Sequence, residues 1–213
     1  MARESRFERR RLDAIAGLAG VAVLVVCAIV VRDGTVGSLE RSVFEATNGL
    51  PEFLEPPMRL AQFLGVLVVG PFVAVVALLL RRWRLGLAAL LVTLGKLAAE
   101  RTVWHFVSRQ RPGVTEPEAI VRGGTATNGV AFVSGHVILV TALAWVITPY
   151  LRGGWRSAPW VVVGIVSFAR IYLGAHNPLD VLGGIGLGIA VGAVVNLIVA
   201  VPVNATDVLS ERA

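Results

Sequence analysis

Residues 12–31 read LDAIAGLAGVAVLVVCAIVV, with Asp13 the one charge in a run as long as the roughly 20 residues that cross a hydrocarbon core. Comparable runs follow at 60–80, 85–106, 130–150, 160–173 and 181–201, three of them with polar interruptions. Apolar residues make up 55% of the chain, charged residues only 16%, and the mean hydropathy is +0.74. A soluble domain of this size needs more surface charge, so the composition places the chain in lipid. The fold class read from the sequence is all-α, a polytopic membrane protein of one domain (1–213) whose six transmembrane helices form a bundle.

Arg9, Arg10 and Arg11 precede the first run as in a signal peptide. The run is longer than a usual h-region of about 7–15 residues and no small-x-small cleavage site follows, so it reads as a retained span. Cys27 is the one cysteine, which excludes an intramolecular disulfide. A net charge of +6 and a pI near 10.9 do not argue for nucleic acid here. The arginines flank hydrophobic spans, where they set topology and meet anionic head groups.

Those arginines also orient the chain. Arg3, Arg6 and Arg9 to Arg11 form a basic tail (1–11) before the first span. Arg81, Arg82 and Arg84 follow the second span, and Arg152 and Arg156 follow the fourth. The positive-inside rule puts all three clusters, and both termini, in the cytoplasm. The connections 32–59, 108–129 and 174–180 then face outward from the plasma membrane. Segment 36–58 sets Leu39, Val43, Phe44, Phe53 and Leu54 among Glu40, Arg41, Glu45, Glu52 and Glu55. This amphipathic stretch is expected to lie along the outer interface, broken at Pro51 and at Pro56 and Pro57. It either guides a lipid or simply covers the bundle. The Gly- and Thr-rich stretch 113–129 reads as an outer loop or lid.

The outward ends of the spans gather His105, Arg109, Arg111, Ser134, Gly135, His136, Arg170, His176 and Asp180. Ionisable groups at such depths are costly unless they pair, snorkel or work. Ser134 can cap the fourth span, and the free N–H groups of its first turn, with the helix dipole, make a seat for an anion. An ordinary cap followed by an interfacial histidine is the plainer alternative. Asn177-Pro178 reads as a helix start that puts Asp180 in the first turn beside His176. A carboxylate there can hold one ring nitrogen of His176 and leave the other as a nucleophile. It can equally serve the helix dipole. Arg170 suits bidentate phosphate contact, or snorkels.

The spacing of Arg111-Pro112, Ser134-Gly135-His136 and Arg170, five residues, His176, three residues, Asp180 resembles the type 2 phosphatidate phosphatase superfamily. These membrane lipid phosphatases are related to vanadium haloperoxidases. The resemblance implies His176 as the nucleophile, Asp180 as its orienting carboxylate and His136 as the general acid. It also implies that Arg111, Arg170, Ser134 and Gly135 hold the phosphate oxygens. No cofactor and no metal are expected, because two guanidinium groups and a helix N-terminus can neutralise the equatorial charge of a phosphoryl group. The expected partner is a membrane lipid phosphate in the bilayer. A polyprenyl (di)phosphate of cell-envelope synthesis comes first, and a glycerolipid phosphate such as phosphatidate or phosphatidylglycerol phosphate second. Oligomeric state is not read from the sequence.

Three positions depart from the family pattern: Trp104 stands for its Lys, Val133 for the Pro before Ser134, and Ala169 for the Ser before Arg170. Trp104 removes a cation. Lys96 lies eight residues earlier, roughly 12 Å along a helix, and is expected to pair with Glu100 inside the bundle rather than reach the phosphate. Arg109 and His105 are the expected replacements. These departures leave open a relative that binds a lipid head group with little or no turnover.

Overall fold

The computed structural model describes residues 7–203, so Arg3 and Arg6 of the basic tail lie outside the described residues. Nine helices occur among those residues. They are α1 (Arg11–Val30), α2 (Ser38–Asn48), α3 (Glu55–Gln62), α4 (Val69–Leu79), α5 (Trp83–Phe106), α6 (Pro112–Thr115), α7 (Gly135–Ile147), α8 (Ala158–Tyr172) and α9 (Pro178–Val199). One short antiparallel pair, β1 (Phe7–Glu8) with β2 (Val201–Pro202), ties the two ends of the described chain together.

α9 is the axis. α1 lies against it along Gly17, Gly20 and Gly186, small residues that let two backbones approach where lipid offers no hydrophobic drive to association. On its other sides α9 meets α5 and α7, and Val92, Leu139, Val146, Val195 and Val199 interlock there. At the far end from the outer loops, Asp13 fixes this arrangement. It accepts hydrogen bonds from Arg10 of the preceding turn, from Trp145 Nε1 on α7 (2.8 Å) and from Asn196 Nδ2 on α9 (3.0 Å).

Two helices, α1 and α9, are each long and apolar enough to cross a membrane. Residues 60–80, expected as one span, do not form one straight helix. α3 ends in a 3-10 turn at Phe63–Gly65, and α4 restarts at Val69 with a bend of 65° between the two halves. Val66 is extended (φ −73°, ψ 150°), and Pro71 in the first turn of α4 lacks an N–H that would have no partner there anyway. Residues 130–150 also fall short of a full helix, because 130–134 are irregular and α7 begins only at Gly135. That irregular backbone is satisfied within the protein: Ala131 N–H donates to Arg109 O and Ser134 N–H to Asp180 O.

The amphipathic segment 36–58 is α2, a 3-10 turn at Glu52–Leu54, and the start of α3. Pro51 does separate two helices. Pro56 and Pro57, expected to break one, instead open α3, where first-turn prolines are tolerated. The 108–129 loop is pinned rather than loose. Asn48 bonds Ile120 in both directions, Arg122 donates to Tyr172 O and Leu50 O, and Arg41 pairs with Glu116 at 2.9 Å.

Candidate active site

The site forms where α7 begins, beside the turn between α8 and α9. Ser134 occupies the N-cap position of α7 but makes no capping bond. Its buried hydroxyl has no hydrogen-bond partner among the described residues, in the same region as the buried Nε atoms of Arg111 and Arg170 and Nδ1 of His176. Buried polar atoms are normally paired, so this concentration marks a polar seat. The charges of Arg170, Arg111 and Lys96 all act on His136, and Arg170, Arg111 and His136 all act on His176. Two imidazoles and two guanidinium groups therefore face one small region.

Each arginine is held by a bond that leaves part of its fork unused. Arg111 Nη1 donates to Ala175 O at 3.0 Å, and Arg170 Nη1 donates to Gln62 Oε1. Burial lowers the pKa of Arg111, and the nearby carboxylates Asp180 and Glu100 partly restore it. Burial also drives His176 well below its ordinary pKa, and the charges of Arg170 and Arg111 push the same way. At neutral pH His176 is therefore the uncharged imidazole.

Asp180 is fully buried. It does not hydrogen-bond His176 as the sequence implied, because Oδ2 stops 3.9 Å from Nδ1. Both carboxylate oxygens already have partners. Oδ1 accepts from Arg109 Nη1 at 3.1 Å, and Oδ2 accepts from the Asn177 N–H at 2.8 Å, the latter a consequence of Asp180 being the third residue of α9. Asp180 thus faces His176 at ion-pair distance.

The expected auxiliary residues do not line the seat. Arg109 is 1% exposed and bonded to Glu40, Asp180 and Thr35 O, so its guanidinium is committed elsewhere. Burial works against its charge, but Glu40 and Asp180 more than offset this and raise its pKa. Trp104 is 41% exposed, and the exposed His105 turns Nδ1 back to within 2.7 Å of Arg101 O on its own helix.

The nearby cation is instead Lys96. It pairs with Glu100 at 2.7 Å as expected, but the pair lies directly against Gly135. A side chain at Gly135 would collide with the Glu100 carboxylate and come within 2.8 Å of Lys96 Nζ. Lys96 lies near the site because α7 starts beside the Lys96–Glu100 turn of α5 rather than at the C-terminal end of that helix. A lone Lys with Glu four residues later inside an apolar run was the available signal. The bend between α3 and α4 supplies two more residues that the sequence did not mark. Gln62 holds Arg170, and Gly65 lets the chain press against His136.

The sequence profile of the PAP2 superfamily matches residues 82–202, more than half of the chain and every histidine and arginine of this site. The chain belongs to the PAP2 superfamily. As a PAP2 protein it is a membrane lipid phosphatase, a hydrolase. It is 30% identical over 161 residues to YbjG of Escherichia coli K12, named provisionally an undecaprenyl-diphosphatase, covering 71% of this chain and 78% of that one. A decaprenylphosphoryl-5-phosphoribose phosphatase of Mycobacterium tuberculosis (strain CDC 1551 / Oshkosh) is 35% identical over 92 residues, covering 43% of this chain and 49% of that one. The PAP2 fold is also seen in the crystal structure of Aquifex aeolicus LpxE (TM-score 0.64, 20% identity, 75% of this chain and 95% of that one). It recurs in a Bacillus subtilis PAP2-type phosphatidylglycerolphosphate phosphatase (TM-score 0.63, 19% identity, 85% and 94%).

Proposed function

We propose that this PAP2 enzyme hydrolyses a polyprenyl phosphate or diphosphate at the outer face of the plasma membrane, through a phosphohistidine on His176. The supporting observation is the meeting of His136, His176, Arg111 and Arg170 at the N-terminus of α7, with the Ser134 hydroxyl unpartnered beside them. Arg111, Arg170, Ser134 and the backbone at Gly135 hold the phosphate oxygens. His176 turns Nδ1 toward Asp180, so its other nitrogen attacks phosphorus. An N–P bond forms and the P–O bond to the leaving group breaks. The leaving oxygen keeps the electron pair and takes a proton from His136. Water then cleaves the N–P bond, with His136 now accepting the proton. Charge neutralisation comes from side chains, so no metal is assigned.

The layout proposed is six membrane passes, with the bent α3–α4 pair as the second and both ends cytoplasmic. The pairing of β1 with β2 and the arginine clusters support that topology. The prenyl choice rests on the outward site and on what the E. coli and M. tuberculosis relatives are named for.

Phosphate release from detergent-purified protein, measured across prenyl phosphates, prenyl diphosphates, phosphatidate and phosphatidylglycerol phosphate, tests the proposal. A prenyl lipid is expected to give the highest kcat/KM, a chelator to leave it unchanged, and His176→Ala to abolish it. Preference for a glycerolipid would displace the prenyl reading. Turnover surviving in His176→Ala would remove the mechanism, and absence of turnover on every lipid would favour a head-group binder.

A further inference from the structure

Around Asp180 the fold builds more than the nucleophile's immediate partner. Glu40, on the amphipathic helix α2, is 7% exposed. It accepts from Arg109 Nη1 at 2.8 Å and from Arg109 Nη2 at 2.6 Å, and Glu40 Oε1 also accepts the Leu179 N–H at 2.9 Å. Arg109 in turn donates to Asp180 Oδ1 at 3.1 Å, and both side chains of that pair are 0% exposed. Four groups from three distant parts of the chain therefore stand in a line, Glu40, Arg109, Asp180 and His176. Its last gap is the 3.9 Å between Asp180 Oδ2 and His176 Nδ1.

We propose that Glu40 and Arg109 are positioning residues for the phosphoryl transfer, Glu40 taking up the charge of Arg109 so that Asp180 keeps its own charge for His176. This rests on the reading of His176 as nucleophile. One guanidinium between two carboxylates leaves the group with one net negative charge. Without Glu40, Arg109 would cancel Asp180, and nothing would compensate the positive charge that the His176 ring acquires as the N–P bond forms. That compensation matters here because the other charged or titratable groups near His176 and Asp180 do not supply it. Arg111 (connection after α5), His136 (α7) and Arg170 (α8) are basic, and Cys27 (α1) is a buried thiol. Arg109 is needed as well as Glu40. Its single Nη1 bond to Oδ1 gives the Asp180 carboxylate a second anchor beside the Asn177 N–H on Oδ2, and the two together fix its plane.

A simple brace between α2 and α9 would predict loss of stability alone, so the test uses readouts that bracing does not move. Wild type, Glu40→Gln, Glu40→Asp and His176→Ala are assayed together as full-length protein in detergent, on one prenyl phosphate, for kcat, KM and the pH profile. Glu40→Gln is expected to lower kcat roughly tenfold or more with KM within about twofold. The acid limb of kcat/KM should move down by roughly one pH unit, because a net positive charge is added several ångströms from the imidazole. Glu40→Asp, which keeps the charge on a shorter stem, should keep the limb where wild type has it even if kcat falls. Wild-type kcat and an unmoved limb in Glu40→Gln would overturn the proposal. So would the same displacement of the limb in Glu40→Asp, which also decides the matter if Glu40→Gln does not fold. Full activity in His176→Ala would instead sink the nucleophile reading on which this one stands.

Discussion

Two fully buried aspartates sit at opposite ends of the bundle, and their surroundings differ in one respect. Asp13 has fixed donors on both oxygens, from Arg10, Trp145 and Asn196, and its charge is matched by the guanidinium of Arg10. Asp180 has fixed donors too, but Arg109 is shared with Glu40, so one negative charge is left over and faces the His176 ring. The neutral network around Asp13 stitches α1, α7 and α9 together. A network with one charge in excess beside an imidazole is available for chemistry. Burial alone does not separate the two aspartates. Completeness of pairing does.

Matched substitutions should break this comparison if it is wrong. Asp180→Asn is expected to lower kcat about ten-thousandfold, the scale seen when a catalytic histidine loses its carboxylate, with a melting temperature no lower than that of Asp13→Asn. Asp13→Asn should leave kcat within about threefold but cost about 3 kcal/mol, the usual penalty for removing one partner of a buried ion pair, read from detergent melts. Equal kinetic losses in the two variants would erase the distinction.

A smaller effect concerns pH. The His176 pKa is depressed in the folded protein by burial and by two arginines, so the unfolded chain takes up a proton at a pH where the folded one does not. Stability should be complete above the unfolded histidine value of about 6.5 and should fall below it, by at most about 1.4 kcal/mol per unit, until the folded pKa is reached. His176→Gln should flatten that slope, as followed by melting at pH 5 and 7. The smallest change is expected at the outer end of α5, where Trp104→Phe and His105→Ala should each leave kcat/KM within about twofold.

The long apolar helices α1 and α9 and the spaced motifs were legible because they are local patterns. Apolar runs announce helices, and Asn177-Pro178 announces the start of α9, which puts Asp180 in its first turn. What the sequence did not yield depends on partners far away along the chain. Glu40 and Arg109 are 69 positions apart, and Gln62 and Arg170 are 108 apart. No periodicity within either segment indicates that they meet. Arg109 was expected to replace the family Lys because it lies near the end of the third apolar run, yet its guanidinium is bonded to Glu40 and Asp180. The bend after Gly65 was hidden inside an unbroken apolar run, since a helix interrupted by packing against His136 has the same composition as a straight one.

The short pairing of Phe7–Glu8 with Val201–Pro202 has a practical use. α9 separates it from the catalytic end by 22 residues, roughly 33 Å of helix. A fluorescent donor on one strand and an acceptor on the other would stay in close proximity while the bundle is intact and separate when it opens. Unfolding could then be followed optically from labels placed about one helix length from the candidate site.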